Sequence, residues 1–204
     1  MAIEHSRWND AYRRSPSELS WYQAEPVLSL QLIDALDVEP GEAVVDVGGG
    51  ASSLAGRLVE RGFTDVTVLD VAESALAEAR GALGAAAGKV TWLAQDVRSW
   101  RPGRRYGLWH DRAAFHFLVE AADRRRYLEV LDLALDPGGG VVMATFAPDG
   151  PDRCSGLPVM RYDAAGLAAV LGPGFELVHE RREEHHTPRG AVQPFTWVAL
   201  RRRR

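Results

Sequence analysis

Residues 43–53 read AVVDVGGGASS, and this stretch decides the fold. The apolar run from Ala43 to Val47 predicts a buried strand, and the three glycines after it allow a tight turn that a ligand can approach closely. A helix is predicted from Ser52 to Arg61, and its first turn offers free backbone N–H groups. VTVLD at residues 66–70 predicts a second strand, so the stretch opens a βαβ unit.

Asp70 closes this unit, 20 residues after Gly50. A carboxylate at the end of the second strand can accept hydrogen bonds from both hydroxyls of a ribose. Glycine turn, helix start and acid at this spacing together predict a nucleotide-type binding site. The alternative is that the glycines only turn the chain and that Asp70 is a surface acid.

Apolar runs and helical patterns continue to alternate along the chain. Further strands are predicted over Val90 to Leu93, Tyr106 to His110 and Val141 to Phe146, and a helix over Ala122 to Leu135. Ser74 is the predicted N-cap of the helix after the second strand. Short strands separated by helices indicate a parallel sheet that is covered on both faces.

The end of the chain has a different pattern. Residues 175–179 and 195–199 alternate like strands around a turn at 187–190, and strands joined so closely must be antiparallel. Because Pro194 cannot donate to a ladder, the last strand is expected to begin at or after it. The expected fold is an α/β three-layer sandwich with a seven-stranded, mostly parallel sheet, helices on both faces and an antiparallel C-terminal hairpin.

Composition limits the classes of function. The chain has 204 residues, which predicts one domain. Its 28 acidic residues outnumber the 24 basic ones and give a net charge of −4, so neither nucleic acid nor an anionic membrane is expected as a partner. Four of the basic residues are Arg201 to Arg204, expected to form a solvated terminus. The absence of a signal-like apolar segment and the single Cys154 favour a cytoplasmic protein, monomeric or homodimeric.

Two kinds of nucleotide site compete for the glycine turn. A dinucleotide site needs G-x-G-x-x-G, but the third position is Ser53, and a second mononucleotide-binding half is missing. The other kind has an acid two residues before the first glycine, which Asp46 supplies, and that acid can attract a cationic amino acid group. An NAD(P)-dependent oxidoreductase therefore stays as an alternative.

In these features the sequence resembles the class I, Rossmann-like methyltransferases that depend on S-adenosylmethionine. Their acid-x-Gly-x-Gly-x-Gly motif corresponds to residues 46–52, with Ser52 in place of the last glycine. The resemblance implies that Asp70 holds the ribose and that Asp96, in LAQDV, contacts the adenine amino group. The residues it implies for cofactor binding are Asp46, Gly48, Gly49, Gly50, Ser52, Asp70, Val71, Asp96, Val97 and Asp111.

The resemblance also implies an activity. A methyl group would pass by in-line displacement to a small-molecule or protein side-chain acceptor, leaving S-adenosylhomocysteine. Residues 42–204 would form the cofactor-binding core, and residues 1–41 an N-terminal lead with the first helix, within one structural domain. A non-catalytic cofactor-binding scaffold is a second alternative.

A narrower resemblance involves the lead and the fourth strand. The W-x-x-x-Y pattern at residues 8–12, SWYQ, LSLQLI and WHDRAAFHFL are similar to bacterial relatives of the citrate synthase lysine methyltransferase. This resemblance implies that Tyr12, Trp21 and Gln23 lie near the cofactor, and it would make a protein lysine the acceptor.

Candidate catalytic residues follow the fourth strand, where an open parallel sheet binds its ligands. Asp111 and His110 are the candidates for contact with the reacting groups. Arg112 is expected to pair with Asp111 rather than bind an acidic substrate, and His116 to be a hydrogen-bonded histidine in a helix.

Metal binding is not expected. The adjacent His185 and His186 would point to opposite faces of a strand, which makes them a poor metal pair. Cys154 has no visible base partner and is expected to be an inert thiol.

Overall fold

The computed structural model describes residues 8–9 and 18–204. In that part of the chain the strands are β1 Val44–Val47, β2 Val66–Asp70, β3 Val90–Ala94, β4 Tyr106–Arg112, β5 Leu135–Phe146, β6 Arg153–Cys154, β7 Leu157–Pro158, β8 Phe175–His186 and β9 Val192–Arg202. The α-helices there are α1 Val27–Ala35, α2 Leu54–Glu60, α3 Glu73–Leu83, α4 Ala121–Ala134 and α5 Ala164–Leu171. Short 3-10 segments cover Gly84–Lys89 and Phe115–Phe117.

Seven of these strands form one sheet in the order β3-β2-β1-β4-β5-β9-β8. Strands β1 to β5 pair in parallel, β9 runs antiparallel to β5, and β8 pairs with β9 as an antiparallel hairpin. Strands β6 and β7 form a separate small hairpin. The predicted fold class is therefore confirmed.

Each face of the sheet has its own apolar core. On one face, Ile33 and Leu36 of the α1 region and Leu58 of α2 pack with residues of the central strands. On the other face, Tyr127 of α4 and Leu167 of α5 pack in a second cluster. Every residue of β1 and β2 is buried, which explains why apolar residues dominate these strands instead of alternating with polar ones.

The hairpin and the lead are joined by polar contacts. The Nε2 atom of Gln23 donates to the Glu183 carboxylate over 2.6 Å, and the Nε2 atom of His185 donates to the Ser20 carbonyl over 2.8 Å. His185 is buried and His186 is exposed, as the alternation of a strand predicts. The described part of the lead therefore packs against the end of the sheet that β8 and β9 build.

Three predicted details of the elements are wrong. The last strand begins at Val192, two residues before Pro194. Pro194 can lie inside the strand because β5 pairs with β9 only from Phe195 onward, so its missing N–H interrupts no hydrogen bond to β5. The N-cap of α3 is Ala72, while the Ser74 hydroxyl instead bonds to the Asn9 side chain at 2.8 Å. Strand β5 begins at Leu135, where a helix end and a glycine turn were predicted.

The terminal arginines are not all solvated, which corrects the expectation for this segment. Strand β9 continues to Arg202, and the Arg201 guanidinium donates to the carbonyls of Leu36 and Gly138. Arg202 pairs with Asp132 and donates to the Leu135 carbonyl. These side chains tie the end of the chain to α1, α4 and the start of β5.

Among the described residues, no helix has both the length and the apolar character needed to cross a lipid bilayer.

Arg201→Ala is expected to lower the free energy of unfolding by about 1–2 kcal/mol, because two carbonyls lose a charged donor. Arg203→Ala is the matched control, since that side chain is exposed and should leave stability within about 0.5 kcal/mol of wild type. Urea unfolding followed by tryptophan fluorescence measures both. Equal stability of the two variants would contradict the role given to Arg201.

Candidate functional site

The glycine turn after β1 has a backbone that other residues would strain. Gly48 has φ +67° and Gly50 has φ +49°, in the left-handed region that favours glycine. A Cβ atom on Gly48 would lie 2.5 Å from the Cβ atom of Ala114, and one on Gly49 would lie 2.5 Å from an oxygen of Asp46. The turn is therefore pressed against the end of β4 and leaves its own backbone open on the ligand side.

Asp70 ends β2 beside this turn and is only 8% exposed. Its Oδ1 atom accepts a hydrogen bond of 2.8 Å from the backbone N–H of Ala72. Burial raises the pKa of Asp70 to about 6, against the lowering effect of the backbone N–H groups of Ala72 and Gly50. A buried carboxylate held by its own backbone is a rigid acceptor for ligand hydroxyls.

Asp46 belongs to a buried polar network that joins three elements. Its Oδ1 atom lies 2.7 Å from Nδ1 of His110, its partner across the β1–β4 ladder, and Nε2 of His110 lies 2.9 Å from the Ser29 hydroxyl in α1. Both ring nitrogens of His110 are thus occupied by protein groups. This geometry makes His110 a positioning residue for Asp46 instead of the predicted catalytic group.

A cavity of about 160 Å³ opens beyond the carboxyl ends of the parallel strands. We refer to it as the larger cavity, because it is the larger of the two that Gly48 lines. Several residues that the resemblance implied for cofactor binding are among its walls: Gly48, Asp70, Val71, Asp96, Val97 and Trp21. The place that sequence reasoning gave to the ligand is therefore a real concavity.

A second cavity of about 60 Å³ adjoins it on the side of the glycine turn. This smaller cavity has further predicted residues in its walls: Asp46, Gly48, Gly49, Ser52, Trp21 and Gln23. Gly48, Trp21 and Arg112 line both cavities, so the two form one divided cleft. Tyr12, the remaining residue predicted from the lead, lies outside the described residues.

Asp96 is held by an arginine at the rim of the larger cavity. The Arg98 guanidinium bonds to both oxygens of the Asp96 carboxylate and also reaches Asp123 at 2.8 Å. The backbone N–H of Arg98 donates to Asp96 over 2.9 Å. The carboxylate is thereby fixed at the place where the resemblance puts an adenine contact.

Asp111 does not face the cleft, which corrects its assignment as a catalytic and cofactor-binding residue. Its carboxylate is fully buried and accepts hydrogen bonds from the Tyr127 hydroxyl at 2.6 Å and from the backbone N–H groups of Ala114 and Phe115. Burial raises the pKa of Asp111 to about 6. Its role is to hold the turn after β4 against α4.

Arg112 does not pair with Asp111, because the two side chains leave opposite faces of β4. The strand extends through Arg112, two residues beyond its predicted end at His110, so alternation puts Arg112 on the cleft side with His110. One terminal nitrogen, Nη1, donates to the Trp21 carbonyl over 2.8 Å. The guanidinium carbon lies 5.1 Å from the centroid of the Phe195 ring.

His116 is not a hydrogen-bonded histidine, contrary to expectation. It lies in the short 3-10 segment, is fully buried between aromatic rings, and neither ring nitrogen has a partner. Burial, reinforced by the charge of Arg112, lowers the pKa of His116 to about 3, so the ring is neutral. Burial likewise raises the pKa of the Cys154 thiol to about 11, which is consistent with an inert thiol.

Aromatic residues that sequence reasoning did not assign to the site form part of the larger cavity. Trp8 packs edge-on against Phe117, with ring centroids 4.9 Å apart, and against Trp21 at 6.0 Å. Phe117 belongs to the WHDRAAFHFL stretch, but its place in the cleft depends on the turn after β4. That turn could not be located from the sequence, because β4 extends two residues beyond its predicted end. For Trp8, the sequence feature that could have indicated a place in the site is the presence of large aromatic residues in a polar lead.

Residues 44–139 match a family model described as a methyltransferase domain. No curated protein matches the chain at a significant level. The matched segment begins with β1 and includes the glycine turn, Asp70 and Asp96.

Solved structures share the fold. One is the Burkholderia thailandensis 1,6-didemethyltoxoflavin-N1-methyltransferase with bound 1,6-didemethyltoxoflavin and S-adenosylhomocysteine, at TM-score 0.74 and 20% identity over 100% of this chain and 88% of that chain. Another is an Anabaena variabilis S-adenosylmethionine-dependent methyltransferase, with a TM-score of 0.73 and 16% identity over 98% of this chain and 95% of that chain. A third is the N-methyltransferase NodS of Bradyrhizobium japonicum in complex with S-adenosylhomocysteine. Its TM-score is 0.70, with 14% identity over 95% of this chain and 97% of that chain.

Asp111→Asn tests the buried carboxylate through pH. The folded-state pKa of Asp111, about 6, lies above the ordinary 3.8, so this group stabilises the fold at low pH and that contribution is lost as the pH rises through 6. Between pH 7.5 and 5, the wild type should gain about 1 kcal/mol of unfolding free energy relative to Asp111→Asn. Urea unfolding at several pH values measures this.

The exposed Asp152→Asn is the control and should track the wild type across the whole range. A constant difference between Asp111→Asn and wild type at all pH values would contradict the raised pKa.

Proposed function

We propose that this chain, which is a class I S-adenosylmethionine-dependent methyltransferase, methylates a small-molecule acceptor. The observation that carries the proposal is the divided cleft, whose walls the lead and the strand ends build together. Trp8 and Trp21, whose rings contact each other, line the larger cavity, and its volume of about 160 Å³ is that of a site for small groups. The structural neighbour that binds 1,6-didemethyltoxoflavin acts on a small molecule and supports the same class here.

The residues of the cleft fit the cofactor. Asp70 would hold the ribose hydroxyls, since its buried carboxylate lies in the cavity wall at the end of β2. The turn from Gly48 to Gly50 would lie against the methionine part, because side chains there would collide with Asp46 or Ala114. Asp96, fixed by Arg98, would contact the adenine amino group.

S-adenosylmethionine, when bound, supplies a methyl group on a sulfonium that an acceptor atom takes by in-line displacement. The chain would contribute alignment of the reactants and exclusion of water. Trp8, Trp21 and Phe117 would exclude water from the larger cavity with their packed rings.

The described groups that line the cleft include no obvious proton acceptor. Asp46 and His110 are bonded to each other, Asp96 is bonded to Arg98, Asp70 is proposed to hold the ribose, and the raised pKa keeps Cys154 protonated. We infer that catalysis rests on proximity and orientation, with an acceptor atom that is already a competent nucleophile.

The protein-lysine acceptor implied by the narrower resemblance is the competing proposal. It rests on short motifs in the lead and in β4, and the confined cleft favours a small molecule over it. The non-catalytic scaffold would bind the cofactor without turnover, so activity separates it from both.

Asp70→Ala is expected to weaken S-adenosylhomocysteine binding by roughly 10- to 150-fold, the equivalent of losing about 1.5–3 kcal/mol of charge-assisted hydrogen bonding. Isothermal titration calorimetry measures the Kd. The matched control is Asp65→Ala, at the opposite end of β2, where the carboxylate pairs with Arg104 far from the cleft. Unchanged affinity in Asp70→Ala would refute the ribose assignment.

Methyl transfer itself is tested with radiolabelled S-adenosylmethionine and a desalted lysate supplemented with its own small-molecule fraction. The label is expected in the low-molecular-weight fraction, and Asp70→Ala should reduce it strongly. Label confined to precipitated protein would favour a protein acceptor instead. Cofactor binding without labelled product in either fraction would favour the scaffold.

A further inference from the structure

One edge of the Arg112 guanidinium is enclosed by the protein and has nothing to bind. The Nε and Nη2 atoms are each inaccessible to solvent and have no hydrogen-bond partner, whereas Nη1 donates to Trp21. Enclosing charged donors without a partner is costly, so the fold tolerates a deficit that a ligand can remove.

The unpaired atoms have the geometry of a recognition group. Nε and Nη2 lie on the same edge of the planar guanidinium, and their two N–H bonds run side by side. This edge matches the two oxygens of one carboxylate, which it binds in a bidentate manner. A lone carbonyl oxygen can accept from both donors, but it cannot form two parallel, charge-assisted bonds as a carboxylate does.

The nearest protein carboxylates do not serve this edge. Glu183, the carboxylate with the largest electrostatic effect on the pKa of Arg112, instead accepts from Gln23 at 2.6 Å and from the Trp197 indole at 2.8 Å. Asp46 is bonded to His110 at 2.7 Å. Within the described residues, Arg112 therefore has no ion-pair partner.

The surroundings of Arg112 put it on the acceptor side of the cleft. The guanidinium lies over Phe195 of β9, and its charge acts on Cys154 of the β6–β7 hairpin and on His116. Arg112 and Cys154 line the same larger cavity as Asp70 and Asp96, but β4 and β9 lie on the other side of β1 from β2 and β3. A ligand held by Arg112 can thus occupy the cleft beside the cofactor.

We infer that the acceptor carries a carboxylate, which binds side-on to Nε and Nη2 of Arg112 while its apolar body packs among Trp8, Trp21 and Phe117. The inference rests on the proposed function, since it names the class of its substrate. The bound carboxylate neutralises the enclosed guanidinium, and the aromatic rings contact the rest of the molecule.

The experiment is a ligand-observed NMR titration of protein saturated with S-adenosylhomocysteine. The probes are acetate, phenylacetate and benzoate, with benzamide as the neutral counterpart of benzoate. At least one carboxylate is expected to bind, and benzamide should bind at least tenfold more weakly than benzoate wherever benzoate binds. Arg112→Gln should weaken carboxylate binding at least tenfold and change the Kd of S-adenosylhomocysteine by less than about threefold.

Two further variants keep the result interpretable. Arg112→Lys retains the charge without the paired donors and should give intermediate carboxylate affinity, while Arg153→Gln, an exposed arginine on β6, should behave as wild type. Thermal unfolding reports whether each variant folds.

Three outcomes overturn the inference. They are absence of carboxylate binding in the saturated wild type, equal binding in Arg112→Gln, and loss of S-adenosylhomocysteine affinity in Arg112→Gln together with competition between the probes and S-adenosylhomocysteine. The last would mean that Arg112 binds the carboxylate of the cofactor itself. Failure of the proposed function is distinct, because it would show in the labelling experiment, as label confined to precipitated protein or absent from both fractions, and not in the binding of the probes.

Discussion

The buried pair of Asp46 and His110 is the constraint on which the site depends. The two residues face each other across the β1–β4 ladder, 2.7 Å apart, and Ser29 of α1 completes the network. A carboxylate at 2% exposure needs partners, and removing one would leave a buried charge with an incomplete shell. The same carboxylate lies under the glycine turn, so the network fixes β1, β4 and α1 at the base of the smaller cavity.

Two consecutive residues of β4 face opposite sides of the sheet and have different roles. Asp111 faces the core that α4 covers, where it caps the following turn and binds Tyr127. Arg112 faces the cleft and carries donors that the protein leaves unpaired. Buried polar groups in proteins are normally hydrogen-bonded, so an unpaired one calls for an explanation. Asp111 therefore serves the fold, and the carboxylate ligand inferred above would explain the unpaired donors of Arg112.

Sequence patterns predicted the parts of this molecule that local rules determine. The glycine turn and Asp70 combine a backbone requirement with a fixed spacing, so both their structure and their place beside a cavity could be anticipated. The end of β4 could not be anticipated in this way. Pairing with β5 continues through Asp111 and Arg112, and this continuation decides which of the two side chains faces the cleft. The terminal arginines were misjudged for a similar reason, since their carbonyl partners at Leu36 and Gly138 are distant in sequence.

Charge is segregated across the cleft in a way that suits its chemistry. Asp46, Asp70 and Asp96 line the side of β1 to β3, where Arg98 pairs with Asp96, whereas the guanidinium of Arg112 on β4 lies over Phe195 of β9. A sulfonium cofactor brings positive charge to the acidic side, and an anionic acceptor would bring negative charge to the arginine. Transfer of the methyl group removes the positive charge from sulfur, so the acidic side would bind the charged cofactor more tightly than the neutral product and favour the exchange of product for cofactor. In the proposed reaction, the two walls would hold the cofactor and the acceptor side by side, so that their alignment would replace a dedicated base.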